Sequence, residues 1–291
     1  MAFPTFSSGA GANQVNFIPE VFSKLLQAKF YSSSVLPAIS NTDYEGEISG
    51  QGDKVHVRTV PTVTINDYTG TVANQNLTTD TVTLNIDTAK YYSFKVDDVL
   101  AAQADINMLE ESSSDAAEQM RIAVETDVLA GVTADVAADG TFDVGDISKA
   151  NILEHIMDLS TQLDERNIPE EGRFLVLNPA FISLLKQSEL RQAYLTGDST
   201  SPLRNGKVGT IDRFTVYQSN LLNTADIDAS AAVDNRTQVL AGHSKGITFA
   251  SQFTNTETVR LTDTFGDAVR GLKVYGYKVI NPDCLVMGQW K

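Results

Sequence analysis

The sequence predicts a protein of the α+β class, and three observations carry that reading. Two stretches, Lys54–Val60 and Asp80–Asp87, alternate apolar and polar residues with a period of two. One long stretch, Ile106 to about Val132, carries an apolar stripe at helical spacing. The remaining helical and strand patterns follow one another without a regular strand–helix repeat, which places the chain in the mixed class. With 291 residues, 42% of them hydrophobic and 20% charged, the composition is globular, and the length admits one large domain or two of ordinary size.

Residues 1–16 are small, polar and Gly-rich and read as a flexible arm. A short helix is expected over Pro19–Phe30. Pro19 suits a first helical position, and Val21, Phe22, Leu25, Leu26 and Phe30 recur at three and four residues to form one buried stripe. In Lys54–Val60, Val55 and Val57 oppose His56 and Arg58; in Asp80–Asp87, Val82, Leu84 and Ile86 oppose Thr81, Thr83 and Asn85. Pro61–Thr79 between them is rich in Thr, Asn and Asp, so the pair reads as a hairpin with a long polar tip. A two-stranded ribbon is only marginally stable alone. The flanking sequence offers no evident cover, which points to a partner chain.

The long helix places Ile106, Leu109, Ala117, Met120, Val124 and Val128 on one face, and Glu110, Glu111, Asp115, Glu118, Arg121 and Glu125 on the rest. At 1.5 Å per residue it is roughly 40 Å long. An acidic loop, Asp135–Asp146, leads to a second helix near Ser148–Glu165 with the stripe Ile152, Ile156, Leu159 and Leu163, ending before Pro169. Arg173–Leu177 reads as a buried strand, Pro179–Lys186 as a short helix, and Asp198–Val208 as a Ser/Pro/Gly loop. Strands are expected at Phe214–Tyr217, Thr237–Ala241, Gly246–Ala250, Thr258–Thr262 and Gly271–Val279.

Charge and composition exclude several function classes. The formal net charge is −15. Residues 101–200 carry 19 acidic and 6 basic side chains, whereas residues 201–291 carry 8 and 10. Such a balance repels phosphate backbones at long range and argues against groove-reading nucleic-acid binding or attachment to a membrane through a basic face. No uninterrupted apolar run exceeds four residues, so no spanning helix of about 20 residues is encoded. Met1–Gly11 lacks the basic and apolar regions of a secretory signal, and the single cysteine, Cys284, fits a reducing compartment.

Candidate chemistry fails on context. Gly242-His243-Ser244-Lys245-Gly246 matches G-x-S-x-G, but Ile247-Thr248-Phe249 continues as a strand where a nucleophile elbow needs a helix. The three histidines, His56, His155 and His243, all precede Ser244, whereas the triad histidine of that fold follows the serine. A hairpin turn accounts for both glycines. Ser183-x-x-Lys186 lacks the companion motifs of penicillin-recognising enzymes. Asp135, Asp139, Asp143 and Asp146 miss EF-hand spacing, and His155 with Asp158 supplies only two of the ligands a zinc site wants. Arg204–Gly209 lacks the upstream glycine and the hydroxyl residue of a P-loop. The expectation is therefore no catalytic residues, no cofactor and no metal.

Longer stretches are more telling. Asn205-Gly206-Lys207-Val208-Gly209-Thr210-Ile211 is followed by Phe214-Thr215-Val216-Tyr217-Gln218-Ser219-Asn220-Leu221, then by Ala241–Ala250, then by Phe265–Val279. Upstream stand Gly52-Asp53-Lys54-Val55-His56-Val57 and the Tyr91–Asp98 run. In order and spacing, over roughly Pro19 to Gln289, these resemble the major capsid (coat) protein family of tailed bacteriophages, which has the Hong Kong 97-type fold. The resemblance implies an N-terminal arm and short helix at residues 1–39 and an extended loop with its base at 40–98. It implies a peripheral domain from 99–146, containing the spine helix, and 238–291, and an axial domain from 147–237. It implies a subunit that self-assembles as hexamers and pentamers into an icosahedral head shell enclosing double-stranded DNA. In the family, the extended loop lies across a neighbouring subunit.

Implied partners are further copies of the chain, a separate scaffolding protein, a portal protein at one vertex and, on some shells, a decoration protein, with no membrane. The implied location is the virion, with assembly in the host bacterial cytoplasm. The candidate subunit-interface residues are Arg58 and Lys90 at the loop base, Asp67 and Tyr68 in its tip, and Glu110, Glu118 and Arg121 on the spine helix. Two departures matter. Pro61–Thr79 contains no lysine, which argues against covalent cross-linking through the loop, and no long helical scaffolding segment precedes the arm. The acidic balance fits a container better than a DNA reader. Two other readings stay open: an encapsulin-like cellular compartment shell, which would carry enzyme cargo, and another phage structural protein such as a tail-tube subunit, which would form tubes or rings.

Overall fold

Every side chain of Arg173–Leu177 is buried, so this strand needs cover on both faces, and the fold is arranged around supplying it. The computed structural model describes residues 31–32, 34–43, 54–59, 61, 63–68, 74–77, 79, 81–97, 108–136, 138–188, 209–226, 235–262 and 265–291. The expected arm at 1–16, the helix over Pro19–Phe30 and the loop Asp198–Val208 lie outside them.

In chain order the first elements are helix α1 (Leu36–Ile39), strands β1 (Lys54–Arg58), β2 (Thr81–Asn85) and β3 (Thr88–Asp97), and helix α2 (Met108–Ala134). There follow β4 (Thr141–Gly145), α3 (Ile152–Glu165), β5 (Arg173–Leu177), α4 (Pro179–Gln187), β6 (Thr210–Ile211), β7 (Phe214–Gln218) and β8 (Thr224–Asp226). The last four strands are β9 (Asn235–His243), β10 (Ile247–Arg260), β11 (Gly266–Val279) and β12 (Leu285–Trp290). They form a seven-stranded sheet of order β4-β12-β9-β5-β7-β6 with β8 paired to β9, a three-stranded sheet of order β10-β11-β3, and the ribbon β1-β2.

Alternation divides the seven-stranded sheet into two apolar faces. Leu175, Leu177, Val239, Ala241, Val286 and Trp290 face α3 and α4, which answer with Ile152, Ile156, Leu159 and Leu163 and with Phe181, Ile182 and Leu185. Phe181 meets Trp290 edge-on, with ring centroids 5.3 Å apart. Phe174, Val176, Leu240 and Leu285 face the other way, onto Val124, Val128, Leu129 and Val132 of α2. The same cluster takes in Val35, Leu36 and Ile39 at α1, and Tyr275 and Val279 of β11. Helix α2 therefore lies between the two sheets.

The expected elements that fall among the described residues are recovered with four corrections, and strands β3, β8 and β12 stand where none was expected. The acidic stretch Asp135–Asp146 is not a loop: a 3-10 turn, Ala138–Gly140, precedes β4, which runs parallel to β12 and buries part of Phe142 and Val144. Gly246–Ala250 and Thr258–Thr262 belong to one strand, β10, with a bulge between Ser251 and Phe253. Ser244–Gly246 is a corner rather than a hairpin turn, because β9 and β10 belong to different sheets. The ribbon is also not bare at its base. Leu84 and Ile86 pack with Val55 against Ala250 and Val274 of the three-stranded sheet.

The domain boundaries expected at 146/147 and 237/238 run through the seven-stranded sheet, since β4, β9 and β12 are hydrogen-bonded into the sheet that holds β5 to β8. The ribbon's seat depends on Gly276, where a Cβ would stand 2.0 Å from the Asn85 carbonyl oxygen. Because that obstacle is backbone, Gly276→Ala is expected to lift the ribbon base from β11 and cost roughly 1–3 kcal/mol, the usual range for overpacking. Chemical denaturation of the purified subunit measures the loss, and faster amide exchange at Leu84 and Ile86 locates it.

Candidate functional site

Ribbon, strap and sheet face make up the candidate site. Its outermost part is the ribbon tip, which leaves Val63, Ile65, Tyr68 and Leu77 exposed, with Thr64 N–H donating to Gln75 Oε1 across it at 3.1 Å. Below the tip, register pairs Arg58 with Thr81 and Lys54 with Asn85, and His56 Nδ1 lies 3.0 Å from Thr83 Oγ1. The polar outer face of the ribbon is thus tied by side chains as well as by backbone, while the apolar inner face rests on the three-stranded sheet.

The segment around α1 forms a strap over α2. Tyr31 Oη donates to Asp115 Oδ1 at 2.8 Å, and this bond together with burial holds the Tyr31 phenol above its ordinary pKa. The Val35 N–H donates to both carboxylate oxygens of Glu125, at 3.0 and 3.2 Å, and Glu125 is 1% exposed. The strap continues through Asn41, which exchanges backbone hydrogen bonds with Ile247 and Phe249 of β10. The helical pattern leaves Glu125 outside the apolar stripe, yet the side chain is buried. Its apolar neighbours one and two turns on, Leu129 and Val132, were the available signal that this side is buried.

Along α2 a second set of polar contacts ties the helix to the three-stranded sheet. Tyr275 Oη donates to Asp127 Oδ2 at 2.6 Å, and Lys90 Nζ stands 3.8 Å from Asp127 Oδ1. Burial first, then the carboxylate, pushes the Tyr275 phenol far above its ordinary pKa. Lys278 donates to Asp135 at 2.9 Å about two turns further along, just past the end of α2. Lys90 is therefore held by its own chain's spine helix. Glu118 and Arg121 pair with each other at 2.5 Å, three residues apart on the same helix. Glu110 lies in the first turn of α2 and is exposed, as are Arg58, Asp67 and Tyr68. The structure thus joins Glu118 to Arg121 and gives Lys90 a partner, Asp127, that sequence reasoning had not singled out.

A third charged cluster closes the far end of the seven-stranded sheet. The Arg173 side chain is fully buried; its Nε donates to the Pro169 carbonyl at 2.9 Å and its Nη2 to Asp164 Oδ1 at 2.7 Å. Arg213 reaches the other oxygen of Asp164 at 3.2 Å and Glu170 at 3.2 Å. The Arg173 hydrogen bond, reinforced by the charges of Arg173 and Arg213, holds the Asp164 carboxyl below the usual range. His243 is buried beside this cluster, accepts the Lys245 N–H at Nδ1, and has its pKa lowered by burial.

Ser244 sits in a 3-10 corner between strands, and His243 is engaged by backbone. His155 Nδ1 meets Asp158 at 3.5 Å, and among the described residues no group of three or more His, Cys, Asp or Glu is placed to hold a metal ion. Cys284 is buried with a raised thiol pKa, caused first by burial. No described helix is long and apolar enough to cross a membrane.

Comparison with known proteins adds an independent finding. Residues 79–288 match a family model described as phage capsid protein. The structure is similar to that of a protein from Mycobacterium phage Che8, with 26% identity, a TM-score of 0.81, and 95% of this chain and 98% of that chain covered. It is also similar to the capsid structure of cyanophage P-SCSP1u, with 15% identity, a TM-score of 0.75 and coverage of 95% and 94%. The capsid of Ralstonia phage GP4 matches with 12% identity, a TM-score of 0.69 and coverage of 97% and 97%. The last two bear on the fold alone. No curated protein sequence matches the chain.

Two measurements test the polar contacts. Glu125→Ala leaves the buried Val35 N–H without its acceptor and is expected to cost about 1–3 kcal/mol. The Val35 amide should then exchange faster, whereas Glu125→Gln, which keeps an acceptor, should preserve most of its protection. For Asp164 the folded pKa is depressed, so its ion pairs contribute above the ordinary carboxylate value near 3.9 and are lost as pH falls through the lowered value. Asp164→Asn should therefore flatten part of the acid limb of the stability curve below about pH 4, measured as melting temperature against pH. Near pH 7 the variant should melt lower by the stability it no longer sheds in acid, a modest loss on the side of half-exposed Asp164 but one that leaves the fully buried Arg173 without its carboxylate.

Proposed function

The chain belongs to the phage capsid protein family, and from that premise we propose that its working state is the icosahedral head shell of a tailed phage, built from hexamers and pentamers of this subunit. The observation that carries the reading is the match of fold over nearly the whole of both chains, at a TM-score of 0.81, together with a family match that spans both sheets and all of α2. The architecture is the Hong Kong 97-type fold. Self-association into the virion shell is what such a subunit does; the mechanism is assembly rather than turnover.

The division of labour follows the surfaces described above. Residues 40–98 act as the extended loop and its base. Residues 99–146, which contain α2, and 238–291 form the peripheral domain, and residues 147–237 form the axial domain at capsomer centres, the two sharing the seven-stranded sheet. Arg58, Asp67, Tyr68, Lys90, Glu110, Glu118 and Arg121 contact neighbouring subunits. Each copy contributes modest contacts to several neighbours, and closed symmetry sums them into collective stability while each contact stays correctable.

Further partners complete the reading. The shell encloses double-stranded DNA without reading its sequence, in keeping with a net charge of −15 per subunit. A separate scaffolding protein guides closure in the host bacterial cytoplasm, a portal protein occupies one vertex, and a decoration protein is accommodated on the outside.

Negative-stain electron microscopy of the expressed protein, alone and with a candidate scaffolding protein from the same phage, tests the proposal. Closed icosahedral shells under either condition are the expected result. A monodisperse monomer or small oligomer under both conditions would overturn it.

A further inference from the structure

Among the described residues, backbone passes directly between the seven-stranded and three-stranded sheets at two places, and the two lie side by side. The first is Ser244–Gly246, between β9 and β10; the second is Pro282–Cys284, between β11 and β12. Gly242 pairs with Leu285 at the end of one ladder, and Ile247 pairs with Val279 at the start of the other. The Ile280 N–H donates to the Gly246 carbonyl at 2.9 Å, which ties one corner to the other. A Cβ at Gly242 would stand 2.6 Å from the Cys284 carbonyl oxygen, so the corners meet backbone to backbone. Together they form the joint at which one sheet gives way to the other.

Each corner is capped by the side chain that precedes it. Asn281 Oδ1 accepts the Asp283 N–H at 3.1 Å, and His243 Nδ1 accepts the Lys245 N–H at 3.1 Å. Both side chains do the same work, but only the histidine can lose it by titration. A ring nitrogen that accepts must carry no proton, which puts the hydrogen of the neutral imidazole on Nε2. That side of the ring lies against Gly172 and is hydrogen-bonded to the Glu171 backbone. A second proton would turn Nδ1 into a donor aimed at another donor, and the cap would be lost.

The surroundings oppose that proton. His243 is 7% exposed, and the charges of Lys245 on the corner and of Arg173, its ladder partner on β5, both act against a positive ring. The nearby carboxylates are committed or turned to solvent. Asp164 is held by Arg173 and Arg213, Glu170 by Arg213, and Glu171 and Asp283 are exposed. Cys284, on the second corner, is a buried thiol that burial keeps protonated.

We propose that His243 is a pH-sensitive latch on this joint: the neutral ring caps the first corner and fixes how the two sheets meet, and the protonated ring releases it. The latch belongs to the single subunit and stands apart from the shell reading above. Burial depresses the folded pKa, so the unfolded chain takes up the proton first, near pH 6.5. The latch therefore contributes stability above that value and loses it as pH falls through the lowered folded value.

The second corner supplies the control, since Asn281 Oδ1 stands the same number of bonds from the backbone as His243 Nδ1 and does not titrate. Amide protection of the purified subunit and of His243→Asn, corrected for the intrinsic rate, is compared at pH 7 and pH 5. In the unaltered protein the protection of Lys245 and Ile280 should fall roughly tenfold, and in His243→Asn it should hold within about twofold. A fall of equal size in both proteins, or none in the unaltered one, would overturn the proposal. So would a fall at Lys245 that leaves Ile280 protected, because the corner would then open without the joint. Should His243→Asn not fold, the ring-nitrogen NMR signals of the unaltered protein decide. The loss of protection should follow the titration of His243, and a loss that follows His56 or His155 instead would overturn the latch.

Discussion

One helix has to serve two sheets. Val124, Val128, Leu129 and Val132 of α2 fill the space between the seven-stranded sheet and β11, touching Phe174, Val176 and Leu240 on one side and Tyr275 and Val279 on the other. Because that stripe is committed inward, the polar contacts of α2 fall along its flanks, where Glu125 holds the strap and Asp127 and Asp135 hold the three-stranded sheet. The opposite face of the three-stranded sheet then has only the ribbon base over it among the described residues. The rest of that face and the projecting tip are what remains once the inner core is satisfied.

How much of this could be read from the sequence depended on where the partner of each segment lies. Arg173–Leu177 and the helix beginning at Pro179 were legible because their signals are local: an unbroken apolar run, then Asn178 and Pro179 at a helix start, with Asn178 Oδ1 accepting the Ala180 N–H. The ribbon was legible from strict alternation. Strand β4 was not, since Thr141–Gly145 holds only two apolar residues, on either side of Asp143, and becomes a strand by pairing in parallel with the distant β12. The same holds for Ser244–Gly246, where the two glycines announce a turn but not that the chain changes sheets there.

The candidate interface was legible in outline only. Tyr68 and Asp67 could be placed in an exposed tip from composition. Lys90 could be placed at the loop base but not beside Asp127, because that pair depends on how β3 crosses the helix. Charge shows the same limit. The acidic excess of the middle third reads as a bare negative surface, yet basic residues from the last third meet it: Arg213 at Asp164, Arg236 at Asp143 and Lys278 at Asp135. The two ends of the charge imbalance are partly folded together.

Strand β12 has a consequence for the order of events in synthesis. It fills the place between β4 and β9 in the seven-stranded sheet, and it brings Trp290, fully buried, to the face that α3 and α4 cover. Every other described strand emerges from the ribosome before it. A nascent chain that has reached only Asp283 holds a sheet split by an empty slot, with apolar groups of α3 and α4 facing it. A product truncated before Leu285 lacks the strand that joins β4 to β9 and leaves the apolar faces of α3 and α4 without Val286 and Trp290.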